Sequence, residues 1–216
     1  MSDVRRLAGI SGILFVVVTV VAFLMPGPPP KIDEANSEIL KYLEDGRTAI
    51  LVSQWLTFIS AIPAALLFGY FVTLLRKAEG EPGALTVAAL LLLAITAVIA
   101  SIIAGVFAAA GYEAKHGLDE DGARLLWDVL AVGINGQMAA MGGFQLISGW
   151  IILSKGGLPT WSGWIGVVAG AIGIAGSAMM ASDGALAPAG DFTVFPFLAF
   201  LIFSLALSIL FLRSEK

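Results

Sequence analysis

The stretch ALTVAALLLLAITAVIASIIAGVFAAA, residues 84–110, decides the fold. It carries no charge and no proline, and apolar side chains occupy every face of the helix it would form. A hydrocarbon core about 30 Å thick is crossed by roughly 20 such residues. A soluble domain of this size has no room to bury a helix that is apolar all round.

Outward from it lie five further apolar stretches: Leu7–Met25, Ala49–Leu75, Leu125–Leu153, Trp161–Ala181 and Val194–Leu212. Of the 216 residues, 58% are hydrophobic and 13% charged, which leaves too little for a separate soluble domain. The expectation is an all-α fold, a single six-helix transmembrane domain over residues 1–216. Arg5 and Arg6 before the first apolar run resemble the start of a signal peptide. The run is long, however, and no small-x-small site precedes Met25-Pro26, so it is read as a retained span. Cysteine is absent, which excludes disulfides, thiol nucleophiles and cysteine-ligated metals.

Six spans put both termini on one side of the membrane. Arg5, Arg6, Arg76, Lys77, Lys155, Arg213 and Lys216 then share the terminal side, on short segments. Lys31, Lys41, Arg47, Lys115 and Arg124 fall on the other side with most of the acids. The positive-inside rule makes the terminal side cytoplasmic. Trp55, Trp127, Trp150, Trp161 and Trp164 sit toward span ends, as in an aromatic belt.

Between spans 1 and 2, Pro26-Gly27-Pro28-Pro29-Pro30 is a stiff extended exit. Residues Ile32–Asp45 follow as a short amphipathic helix, with Ile32, Ala35, Ile39 and Leu43 on one face. It is expected to lie on the outer surface or cap the bundle. Pro63 interrupts span 2, and Ser60 is placed to serve the carbonyl it frees. In span 3, Ser101, Gly105 and Ala109 form a small-residue strip for close helix approach. In span 4, Asn135, Gly142 and Gly149 recur every seven residues on one face, opposite Gln137, Met141 and Ser148, with Gln145 between. That pattern makes span 4 the central helix. In span 5, Gly163, Gly166, Gly170, Gly173 and Ser177 form an unbroken small-residue seam for packing within the bundle or against another chain. Span 6, rich in Phe and Leu, reads as peripheral and lipid-facing.

The chemistry is limited by what the spans lack. No His, Lys or Arg lies well inside any of them, and the only carboxylate inside one is Asp128. Asp128 fits the N-terminal turn of its helix, paired with Arg124 at i−4. Ion conduction and proton coupling normally leave ionisable residues at depth, and intramembrane proteolysis needs a nucleophile with a base. Neither pattern is present. His116, with Glu113 and Asp119, could hold a divalent cation at the outer interface, or the three could be an ordinary hydrated loop. The remaining polar groups are neutral: Ser53, Gln54, Thr57, Asn135, Gln137, Gln145 and Ser148, accompanied by Met141. They either bond between helices or line a cavity between spans 2 and 4 for a lipid or neutral amphiphile.

Three segments carry a family resemblance. They are Arg6-Leu7-Ala8-Gly9-Ile10-Ser11-Gly12-Ile13-Leu14, the stretch from Asn36 through Lys77, and Gly149-Trp150-Ile151-Ile152-Leu153-Ser154-Lys155-Gly156-Gly157-Leu158-Pro159 followed by Gly163. Together they resemble the bacterial membrane proteins grouped as domain-of-unknown-function 4386, although Thr160 stands where that pattern has a basic residue. The resemblance implies six helices in a bacterial cytoplasmic membrane, and it implies no activity or site. The expectation is a non-enzymatic membrane protein without a cofactor. Its partners would be membrane lipids and a small neutral amphiphile in the amide cavity. An accessory or scaffold subunit with a membrane-protein or homo-oligomeric partner is the alternative, and a metal-dependent enzyme at the outer interface is a third reading. Nothing points to nucleic acid.

Overall fold

The computed structural model describes residues 2–181, 184, 186–188 and 191–213, and among these every regular element is helical. The helices are α1 (Ser2–Leu24), α2 (Asn36–Asp45), α3 (Arg47–Glu79), α4 (Ala84–Glu113), α5 (Glu120–Lys155), α6 (Thr160–Ser177) and α7 (Val194–Leu212). A 3₁₀ turn, Asp191–Thr193, leads into α7. Lys216 of the orientation argument lies outside the described residues.

The boundaries follow local chemistry. Asp119 caps α5 by accepting from Gly122 N at 2.8 Å. Gly80 and Gly156, both at positive φ, end α3 and α5. A single residue, Gly46, separates α2 from α3. Helix α3 runs unbroken through Pro63. Ser60 donates to the Thr57 carbonyl at 2.7 Å and so does not serve Ile59, whose carbonyl proline leaves without its usual donor. Helix α6 stops at Ser177, short of the expected Ala181.

Four helices, α1, α3, α4 and α7, are long and apolar enough to cross a membrane. In α5 the amides dilute the apolar character, and in α6 the glycines and polar first turn do so. The six long helices close a ring in the order α1, α3, α4, α5, α6, α7 and back to α1, and α5 also reaches across to α3 and α7. The most extensive contact is α5 with α6. Core cluster residues come from the whole ring, led by Phe68 and Phe71 of α3, Phe144 of α5 and Phe203 of α7. Their rings meet edge-on at 5.6–6.2 Å. A second cluster lies at the end where α3 and α5 begin and α4 finishes. There Ile39 and Leu43 of α2 are fully buried against Ile50, Ala110, Ala123 and Trp127, so α2 caps that end of the bundle.

Three expectations change. Helix α7 is the most buried of the four apolar helices and α4 the least, reversing the peripheral reading of span 6. Phe203 and Leu207 point into the core, where a phenylalanine is as much at home as in lipid. Trp127 is buried between Tyr42 and Phe107 instead of joining the belt, whereas Trp55, Trp150, Trp161 and Trp164 are exposed. The strip Ser101–Gly105–Ala109 packs against nothing: the space beside Gly105 is open and Ser101 bonds only its own helix.

The span-5 glycines do pack, against α5. A Cβ on Gly142 would lie 2.7 Å from Ile174 N and 2.8 Å from Gly170 O. A Cβ on Gly170 would lie 2.6 Å from Leu146 N, and one on Gly149 2.6 Å from Val167 N. All of these obstacles are backbone, so nothing can swing aside. Gly142→Ala is therefore expected to cost about 1–3 kcal/mol in detergent thermal unfolding. Gly136→Ala, where the space is open, should be neutral or gain up to about 1 kcal/mol from helix propensity. Equal melting of the two variants would refute backbone-distance packing.

Candidate functional site

Helix α5 carries three fully buried polar side chains, Asn135, Gln145 and Ser148. Its face toward α6 holds Gly142 and Gly149, and Asn135 continues that face toward the end of α6. Asn135 is fully buried and donates from Nδ2 to the Met179 carbonyl and to Met180 Sδ, fastening the chain that leaves α6. Its seven-residue repeat with the two glycines thus has a structural meaning: one contact line, closed at its end by an amide.

Gln145 and Ser148 differ. Both are fully buried, and one helical turn separates them. Neither Nε2 nor Oε1 of Gln145, nor Oγ of Ser148, has a hydrogen-bond partner, and Asn135 Oδ1 is also unpaired. Serines usually satisfy themselves on a carbonyl of the preceding turn, as Ser204 and Ser208 of α7 do here. Met141 is buried one turn earlier on α5, and Gln137 is half-buried.

The α3 members of the expected cavity are satisfied within their own helix. Ser53 Oγ donates to Ile50 O, Gln54 Nε2 to Ser53 Oγ, and Thr57 Oγ1 to Ser53 O, at 2.8, 2.8 and 3.0 Å. They also lie at another level. Phe144, next to Gln145, abuts Phe68 and Phe71, and Phe68 is about 16 Å beyond Thr57 along α3. Gln145 and Ser148 lie one turn apart on α5, and Ser53, Gln54 and Thr57 form a separate polar patch near the capped end.

Glu113, His116 and Asp119 do not converge, and among the described residues no three such groups are placed to hold a metal. His116 stacks on Tyr112 at 4.5 Å and its Nδ1 lies 2.7 Å from the Tyr112 carbonyl. Asp119 is the cap of α5. Arg124 pairs with Asp128 at 3.1 Å, as the spacing predicts, and also donates to the Glu34 carbonyl. Asn36 reaches Asp121 at 3.2 Å. These bonds tie α2 and the loop before it to the start of α5.

Two concavities open on the described surface. A charged one of about 570 Å³, lined by Pro28–Pro30, Glu34, Glu38, Lys41, Tyr42 and Asp45, opens beside α2. A smaller one of about 280 Å³ lies among α4, α5 and α6 and is lined only by Leu85, Leu146, Ile147, Trp150 and Val167. No protein-family model, curated protein or solved structure matches the chain.

The phenol of Tyr42, half-buried on α2 against Trp127, is pushed by burial up to about 12. In an unfolded chain it would ionise near pH 10. Between about pH 10 and 12 the unfolded state binds fewer protons than the folded one, so the cap is at full strength below about pH 10 and weakens as pH rises. A phenolate titration should show one tyrosine delayed toward about pH 12, and Tyr42→Phe should delete that late component. A titration unchanged by the substitution would contradict the buried phenol.

Proposed function

We propose that the chain is a six-span, non-enzymatic membrane protein that holds a neutral amphiphile at Gln145 and Ser148. The observation that carries this reading is the set of three fully buried, unpaired polar atoms, Gln145 Nε2 and Oε1 and Ser148 Oγ. Each such atom left alone in an apolar setting costs about 1–3 kcal/mol. A head group able both to donate and to accept, such as a hydroxyl or a protonated carboxyl, removes that cost. The hydrophobic core cluster to which α5 contributes Phe144 and Ile151 suits an apolar body. With Asp128, near the start of α5, the only charged side chain within the six apolar stretches, an ionised ligand would have no counter-charge.

In the same reading α5 and α6 are spans as well, side by side in the ring between α4 and α7. The end bearing Arg5, Arg6, Arg76, Lys77, Lys155 and Arg213 faces the cytoplasm, and the acidic capped end faces outward. A bacterial cytoplasmic membrane is the setting that the family resemblance implies. The accessory-subunit alternative draws on one observation, the unpacked Ser101–Gly105–Ala109 strip on the least buried apolar helix.

Native mass spectrometry of gently released protein tests the first reading. Wild type should retain one neutral amphiphile per chain, and Gln145→Leu should lower its retention about tenfold, which corresponds to about 1.4 kcal/mol. If Gln145→Leu keeps the same bound species and melts higher, the amide is an unused defect and the reading falls. For the alternative, Ser101→Cys in this cysteine-free chain should crosslink to a second chain in native membranes. Monomer alone would remove its support.

A further inference from the structure

The apolar groove among α4, α5 and α6 opens toward the basic end of the bundle. Leu85 lies in the first turn of α4, and Trp150 in the last two turns of α5. Trp150 is 60% exposed, an indole at the depth where lipid head groups begin. The groove is far too small for a protein partner, because a stable interface takes about 800 Å² from each side. Its narrow, wholly apolar lining suits one acyl chain.

Unpaired positive charge stands at the same end. A Cβ on Gly157 would lie 2.7 Å from the Ala78 Cβ, so the segments that carry Lys77 and Lys155 touch. Both lysines are exposed, and among the described residues neither has an ionic or hydrogen-bond partner. Their neighbour Arg76 is already held by Glu81 at 2.7 Å. Glu79 is occupied too, accepting from the Leu85 and Thr86 amides at 2.9 and 2.7 Å. The acids nearest Lys77 in sequence, Glu79 and Glu81, are therefore engaged elsewhere.

We propose that this end binds an anionic membrane phospholipid, its phosphate on Lys77 and Lys155 and one acyl chain in the groove. A lysine near an anionic head group contributes a factor of about five in affinity. A zwitterionic lipid offers the same tail with less net charge to attract. The site is distinct from Gln145 and Ser148, and its test does not depend on theirs.

Full-length protein is exchanged into detergent with phosphatidylglycerol or phosphatidylcholine, and the bound lipid is counted by native mass spectrometry. Wild type should retain phosphatidylglycerol preferentially. Lys77→Gln and Lys155→Gln should each lower that preference about fivefold. Leu85→Trp, which fills the groove from the exposed side of α4, should reduce retention of both lipids while leaving lipid-free melting unchanged. Equal retention of the two lipids by wild type overturns the proposal, as does a preference that survives loss of both lysines. Leu85→Trp without effect overturns the groove as the tail site. Displacement of the lipid by inorganic phosphate alone would make this an anion site and not a lipid site.

Discussion

The backbone of α6 lies directly on the backbone of α5, and the other helices are arranged around that contact. Lipid tails are as apolar as leucine, so helices in a membrane gain little by hiding hydrophobic surface and associate instead through close packing. Gly142 and Gly149 on one helix, with Gly163, Gly166, Gly170 and Gly173 on the other, remove the side chains that would hold the axes apart. With one face of α5 committed in this way, Phe144 is turned toward α3 and α7, and Gly143 toward Leu92 of α4. Helix α5 thereby becomes the centre on which the ring closes.

Much of this was legible in the residues. Spacing alone gave the central role of α5, the glycine line of α6, the Arg124–Asp128 pair and the amphipathic α2. Each depends on periodicity or on a local charge, which survive translation from sequence into structure. The burial of α7 was not legible. Phe203 and Leu207 have the same hydropathy whether they face lipid or core, so apolar composition cannot tell the two apart. Trp127 misleads for a related reason, since a tryptophan near a helix end suits an interface and suits the underside of a cap equally well.

The polar residues divide along similar lines. Short hydroxyl side chains on α3 find acceptors in their own helix, so grouping Ser53 and Thr57 in sequence does not make them a shared lining. Gln145 is too long for that solution, and its amide finds no partner. An amide's isolation depends on what the other helices bring to its level, and that is a property of the assembled ring. No spacing rule within α5 separates Gln145 from Asn135, which reaches a carbonyl beyond the end of α6.

Helices α1 and α7 are adjacent in the ring. Arg5 donates to the Leu210 carbonyl, and Leu212 fills the space beside Gly9. The chain emerges from the ribosome with α1 far ahead of α7, so the first helix must wait beside α3 with one flank open while the remainder is made. Phe15 would meet Phe68 at once and Phe200 only at the end. Assembly is in this sense ordered by synthesis: the bundle stays an open arc until its latest helix supplies both the missing wall and the ring of Phe203 at its centre.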